Sequence, residues 1–286
     1  AQAGAATIAI DMPLHGSRRG ASTRSPDVLV FNFGNPRAAR DNFLQGSADL
    51  MSLIAWAEGY TLAAAGSPTT EDVRFDPSRV LMFAHSQGAT HAQLILPYED
   101  SLYAVVLSGA GGDLTESLLT KTRPVNIAAA VPLALLDMAG NGQLAVGDQH
   151  PALALLQHYF EPVDPVCFGR GVRFDPPNAS SLHVFQTYGL GDSYSTERTM
   201  GAYARSVGLP HIAPLLVNIN LGAPVDPPQS ANVGVAGAQY TMGLRQYMPD
   251  AGEDGHFVST QTAAGRADVL RFLSTAITDA APTIGP

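Results

Sequence analysis

The sequence carries a single cysteine, Cys167, in 286 residues, so no intrachain disulfide can form. The lone thiol sits in a proline-rich stretch that reads as a loop without a helix start after it, and it is expected to be buried or inert. Positive charge is also scarce. Sixteen Lys and Arg stand against 25 Asp and Glu, for a net charge of −9. Such a balance disfavours nucleic acid and anionic membrane surfaces as partners. No run of about 18 uncharged apolar residues exists, which excludes a membrane-spanning helix. The most apolar stretch, residues 127–136, contains Pro132 and is closed by Asp137. Nothing at the start reads as a signal peptide. The Gly-rich turn at residues 109–113 lacks a lysine at P-loop spacing, and no Gly-x-Gly-x-x-Gly is present, so a nucleotide cofactor is not expected. With no cysteine cluster and no His-x-x-x-His pair, a metal site finds little support.

What is present is a rather apolar chain, 45% hydrophobic and 14% charged. It is long enough to bury a large core as one α/β domain. No internal repeat or linker divides it. The central signal is Val80-Leu81-Met82-Phe83-Ala84-His85-Ser86-Gln87-Gly88-Ala89-Thr90. An apolar strand runs into a serine flanked by Ala84 and Gly88, and a helix-compatible segment follows. This is the Gly-x-Ser-x-Gly elbow with alanine in the first glycine place, in which a strained turn lifts a serine hydroxyl above the sheet. Ser86 therefore reads as a nucleophile; an ordinary strand-to-helix turn is the alternative.

Around that elbow the chain alternates strands and helices. Residues 7–10 read as a buried parallel strand followed by a Pro/Gly loop. Residues 27–33 form a short strand or a turn of helix. A helix opens at Arg40 with an apolar stripe of Phe43, Leu44, Leu50, Leu53, Ile54 and Ala57. Residues 102–109 and 182–188 are strands, the first almost continuously apolar, as a strand covered on both faces should be. Residues 215–221 are expected to form another short strand, with Asn218 and Asn220 in loop hydrogen bonds, and residues 240–248 an edge strand. Helices are expected over 194–207 and 262–277. Between the strands, residues 114–175 hold helical pieces (114–122, 126–137, 151–159) broken by Pro and Gly. They read as a cap over an apolar pocket, or alternatively as a helical layer without a role there.

A serine hydroxyl needs a base, and the base needs an orienting group. Of eight histidines, His256 is the best base: it lies in a Gly-rich loop after the last plausible strand. His85 adjoins Ser86 and should point elsewhere, and His183 lies in a strand. Asp192, just past a strand end behind Gly189 and Gly191, is the best acid; its alternative role is a helix N-cap. Asp164, Glu253 and Asp254 compete with it. One oxyanion donor is the amide of Gln87, the residue after the serine. His15-Gly16 superficially resembles the loop that gives the second, but its place behind Asp11 argues otherwise.

The elbow Ala84-His85-Ser86-Gln87-Gly88, then Gly191-Asp192, then Gly255-His256, in this order, resemble the α/β-hydrolase superfamily, and within it bacterial extracellular lipases and esterases. The segment Ile8-Ala9-Ile10-Asp11-Met12-Pro13-Leu14-His15-Gly16 resembles the family's fourth strand and following loop. Asn35-Pro36 with Arg40-Asp41-Asn42 and Gln45 is similar to larger members. The resemblance implies an α/β-hydrolase fold over residues 1–286: a mostly parallel sheet, helices on both faces and a helical cap. The family's first three strands, and the loop giving its second oxyanion donor, have no counterpart, which implies either an N-terminal segment outside this chain or in a second one, or a reduced fold. It further implies a Ser86–His256–Asp192 triad that cleaves hydrophobic carboxylic esters, lipid or polyester, through an acyl-enzyme. No cofactor is implied, and the location implied is extracellular or periplasmic. A peptidase or amidase using the same triad, or a non-catalytic binding protein with the same fold, stays open. Haloalkane dehalogenases and epoxide hydrolases are disfavoured, because they carry aspartate where Ser86 stands.

Overall fold

The computed structural model describes residues 4–32, 34–134 and 150–286. Its centre is a five-stranded parallel sheet in the order β3-β4-β5-β9-β6. The strands are β3 (Val80–His85), β4 (Leu102–Ser108), β5 (His183–Gly189), β6 (His211–Ile212) and β9 (Met242–Tyr247). Two small antiparallel pairs lie outside it: β1 (Thr61–Leu62) with β2 (Val73–Arg74), and β7 (Val233–Val235) with β8 (Ala238–Tyr240).

Strand alternation sorts β4 between two cores. Val105 and Leu107 face Ile54 of α2 (Pro36–Gly59), Ala92 of α3 (Gln87–Ile95), Val172 of α7 (Val166–Arg173) and Tyr203 of α8 (Glu197–Val207). Ala104 and Val106 face Val258 of α9 (Val258–Gln261) and Phe272 of α10 (Ala263–Thr278). Both faces of the strand are thus dry, which is why its sequence is so uniformly apolar. The α/β class, the mostly parallel sheet and the helices on both faces are as the sequence implied.

The segment between β4 and β5 is helical, as expected. It comprises α4 (Leu114–Thr120), α5 (Ile127–Ala134), α6 (Pro151–Phe160) and α7. Leu118, Ile127, Val131 and Leu153 make a small core of their own between α4, α5 and α6. The end of the helix expected over 126–137 lies outside the described residues. Cys167 stands on α7, not in a loop, and is exposed. Partial burial and the nearby Asp164 and Glu161 push its thiol pKa up, so it is poor in the reactive thiolate.

Several expectations are corrected. Residues 7–10 form no strand: Ile8 and Ile10 are exposed, and no ladder partner flanks them among the described residues. A parallel strand needs both a neighbour and covering layers. Residues 27–31 take the helical alternative, in α1 (Pro26–Phe31), and residue 33 lies outside the described residues; α2 begins four residues early, at Pro36, with the Asn35 side chain accepting from the Ala38 amide. The buried stripe of α2 runs through Ala39, Gly46, Ser47, Ile54 and Ala57 and leaves Leu44 outside. The His91 ring of α3 occupies the space a side chain at Gly46 would need. Helix α8 begins at Glu197, later than residue 194. Residues 215–221 form no strand either. The Gln246 side chain takes the Leu216 and Val217 amides at 2.7 and 3.0 Å and donates to the Val217 carbonyl, so the backbone is satisfied without a ladder. Asn218 does make a loop bond, accepting from the Asn220 amide.

The stretch expected as an edge strand is β9, which lies inside the sheet between β5 and β6. Its polar residues mislead because they are buried with partners. Arg245 donates to Asp268 at 2.9 Å, and the Tyr247 hydroxyl donates to the same carboxylate at 2.7 Å. Among the described residues no helix is long and apolar enough to cross a membrane.

Candidate active site

Ser86 sits between β3 and α3 with φ +55° and ψ −125°, a conformation that costs a non-glycine residue strain and persists only when its surroundings enforce it. They do. The Ser86 amide donates to the Ser108 carbonyl at the end of β4, and the Ser86 carbonyl takes the Ala89 and Thr90 amides that start α3. Its side chain makes no helix-capping bond, so the hydroxyl is left for other work. The Gln87 amide, in the first turn, has no acceptor among the described residues, as expected for a helix N-terminal N–H. Both residues line a cavity of about 480 Å³.

His256 and Asp192 come together at the C-terminal end of the same sheet. His256 Nδ1 lies 2.9 Å from Asp192 Oδ2, and both side chains are buried. The other Asp192 oxygen accepts the Tyr194 and Ser195 amides at 2.8 and 2.7 Å. Asp192 thus holds its own loop as well as His256, and it is not the N-cap of α8, a position taken by Thr196. The Tyr194 ring stacks on the imidazole at 4.5 Å and 19°. The ring also lies over Gly109 (φ +55°), where an added Cβ would sit 2.6 Å from His256 Cε1. Gly109 follows the residue that holds the Ser86 amide, so the imidazole stands beside the elbow. The Ser86 hydroxyl and His256 make no hydrogen bond to one another in this structure; such contacts commonly tighten when substrate binds.

The competing acids do other work. Asp164 accepts the Asp113, Leu114 and Val166 amides and the Gln157 side chain, anchoring the start of α4. Glu253 is exposed. Asp254 is a clamp: it accepts the His256 amide at 2.9 Å, the Ser193 amide at 3.2 Å and the Ser193 hydroxyl. Burial works to raise its pKa, but these bonds and the nearby His256 outweigh it and hold the carboxyl below its usual range. Asp254 therefore ties the acid loop to the histidine loop, a role invisible in the sequence because it depends on where β5 and β9 end. Asp254→Ala is expected to lower the melting temperature by loosening that registry, read by thermal unfolding beside the wild-type chain.

His85 points away from the elbow hydroxyl, as expected: its Nδ1 lies 3.0 Å from Ser108 Oγ, which in turn bonds Ser259 Oγ at 2.6 Å. Burial and the neighbouring His256 push its pKa down to about 4, so it is neutral near pH 7. His183, pushed to about 4 by burial and then by Arg79, accepts the Thr241 amide and is structural. His15 and Gly16 do not line the cavity. Among the described residues no group of three or more His, Cys, Asp or Glu is placed to hold a metal ion.

No protein-family model matches the sequence, and no curated protein matches it either. Among solved structures, the chain is similar to the acylaminoacyl peptidase of Pyrococcus horikoshii. The identity is 9% and the TM-score 0.38, over 84% of this chain and 27% of that one. The chain thus spans about a quarter of that protein's length.

Proposed function

We propose that this chain is a serine hydrolase of hydrophobic carboxylic esters, with Ser86 as nucleophile, His256 as base, Asp192 as its orienting acid and the Gln87 amide in the oxyanion hole. The observation that carries the reading is the buried 2.9 Å His256–Asp192 contact beside a positive-φ serine that opens on an apolar cavity.

Ser86 Oγ forms a bond to the ester carbonyl carbon while its proton passes to His256 Nε2. The carbonyl electrons move onto oxygen, where the Gln87 N–H stabilises them. His256 then gives the proton to the leaving alkoxide, and the acyl-enzyme remains. Water repeats the sequence, with His256 taking its proton, and the acid leaves as Ser86 regains its hydrogen. The Asp192 carboxylate stabilises the imidazolium in both halves. The helices α4–α6 over the cavity serve as the cap that shelters the acyl or alcohol chain.

An active-serine fluorophosphonate is expected to add one phosphonyl group to the protein, found on the peptide bearing Ser86. No adduct, or one on another residue, removes the proposal. Among p-nitrophenyl esters, octanoyl is expected to match or exceed acetyl in kcat/KM, and a strong acetyl preference would exclude the hydrophobic substrate class. Turnover of the matching anilides at rates equal to the esters would make the chain an amidase instead.

A further inference from the structure

The cavity that contains Ser86 is walled chiefly by apolar side chains, among them Val28, Phe31, Leu118, Val125, Leu156 and Phe160. Into this wall the chain places one ammonium group, that of Lys121, just after α4. The ammonium lies over the Phe31 ring, 4.7 Å from its centroid. It makes no ion pair and no side-chain hydrogen bond among the described residues. The partly buried Arg245, by contrast, is paired with Asp268. A partly buried cation on an aromatic face has lost water and gained the ring's quadrupole and the pull of carboxylates beyond ion-pair distance, without a charged partner in contact.

The acids near it leave that requirement open. Asp192 acts on Lys121 only from beyond ion-pair distance, and its oxygens are engaged by His256 and by two backbone amides. Asp27 on α1 likewise attracts it without pairing. Asp164, also in the wall, is saturated by the start of α4. Burial lowers the lysine's pKa, with Asp192 and Asp27 working in the opposite direction.

We infer that Lys121 receives an anionic oxygen group carried by the substrate, so that the cavity selects an amphiphilic ester, apolar along its length and bearing one carboxylate or phosphate. This rests on the reading of the cavity as an ester site. It deepens that reading, because an unmatched ammonium is a poor wall for a purely hydrocarbon ligand and a good one for a ligand with a single negative end. Lys121 is then a specificity residue, with no part in the proton transfers at Ser86.

Calorimetric binding to the intact chain tests this without turnover, using octanoate, octyl phosphate and octanol as probes at pH 7.5. Octanoate or octyl phosphate is expected to bind at least tenfold tighter than octanol, the gain of one charge-assisted contact. The tighter of the two anions identifies the group as carboxylate or phosphate. Lys121→Met is expected to erase the anion-to-alcohol ratio, and Lys121→Arg to restore it. A wild-type ratio near one overturns the inference, as does a Lys121→Met protein that keeps the ratio. Either result is independent of the serine hydrolase reading, which is tested separately by fluorophosphonate labelling of Ser86 and by the Ser86→Ala variant. Second, p-nitrophenyl hemi-esters of aliphatic dicarboxylic acids should be cleaved with higher kcat/KM than their methyl-capped counterparts, a preference lost in Lys121→Met.

Discussion

Asp192→Asn is expected to reduce kcat/KM on p-nitrophenyl butyrate by about 10⁴-fold while the protein stays folded. The substitution keeps size and the oxygen that takes the Tyr194 and Ser195 amides, so the loop after β5 has no reason to move. What changes is the group facing His256 Nδ1. A carboxylate oxygen at 2.9 Å accepts the Nδ1 proton and leaves Nε2 free to accept one from Ser86. An amide nitrogen there donates, drives the ring proton to Nε2 and leaves the imidazole in the wrong tautomer for a base. The loss is a transition-state effect, so kcat should carry nearly all of it. Circular dichroism and the melting curve check that the fold survives. A fall of less than tenfold would show that Asp192 does not orient the base.

Gly255→Ala is expected to cost about 2–3 kcal/mol of stability and to lower kcat/KM about 100-fold in the molecules that remain folded. The reason is backbone against backbone. An added Cβ would run into the Leu190 carbonyl oxygen and come within 2.7 Å of the Asp192 amide. Neither is the end of a flexible side chain, so relief requires the 190–192 loop to shift, and that loop carries the acid. Gly189 meets the Gly255 carbonyl in the same way from the other side. Asp254 lies one residue away and clamps the same two loops. Gly59→Ala is the control: its added methyl meets nothing, and both quantities should stay close to wild type. The measurements are denaturant unfolding and steady-state kinetics on the folded fraction. Equal behaviour of the two variants would contradict the close approach of the loops.

The turns that carry Ser86, Asp192 and His256 were legible because each follows a strand, and the local sequence shows that. Gly88 after Ser86, Gly191 before Asp192 and Gly255 before His256 mark turns where strands end. Their convergence follows from β3, β4, β5 and β9 being parallel and neighbours, so that loops far apart in sequence share one edge of the sheet. The strands β4 and β5 were legible for the same reason, since burial on both faces writes a continuous apolar run. Periodicity misplaced β9 because Arg245 and Gln246 are polar residues that find partners inside the fold, Asp268 and the 216–217 backbone. It suggested a strand at residues 7–10 because apolar composition carries no record of whether a ladder partner exists. The clamp at Asp254, the Tyr194 ring over His256 and the ammonium of Lys121 in the cavity are purely tertiary. No spacing rule links Lys121 to Phe31, which stand 90 residues apart in the sequence.

The most direct test of the account is hydrolysis of p-nitrophenyl butyrate by the purified chain beside its Ser86→Ala variant. The account predicts turnover by the former and a loss of at least about 10⁴-fold in the latter, with unchanged melting behaviour. A Ser86→Ala protein that retains the wild-type rate would contradict it.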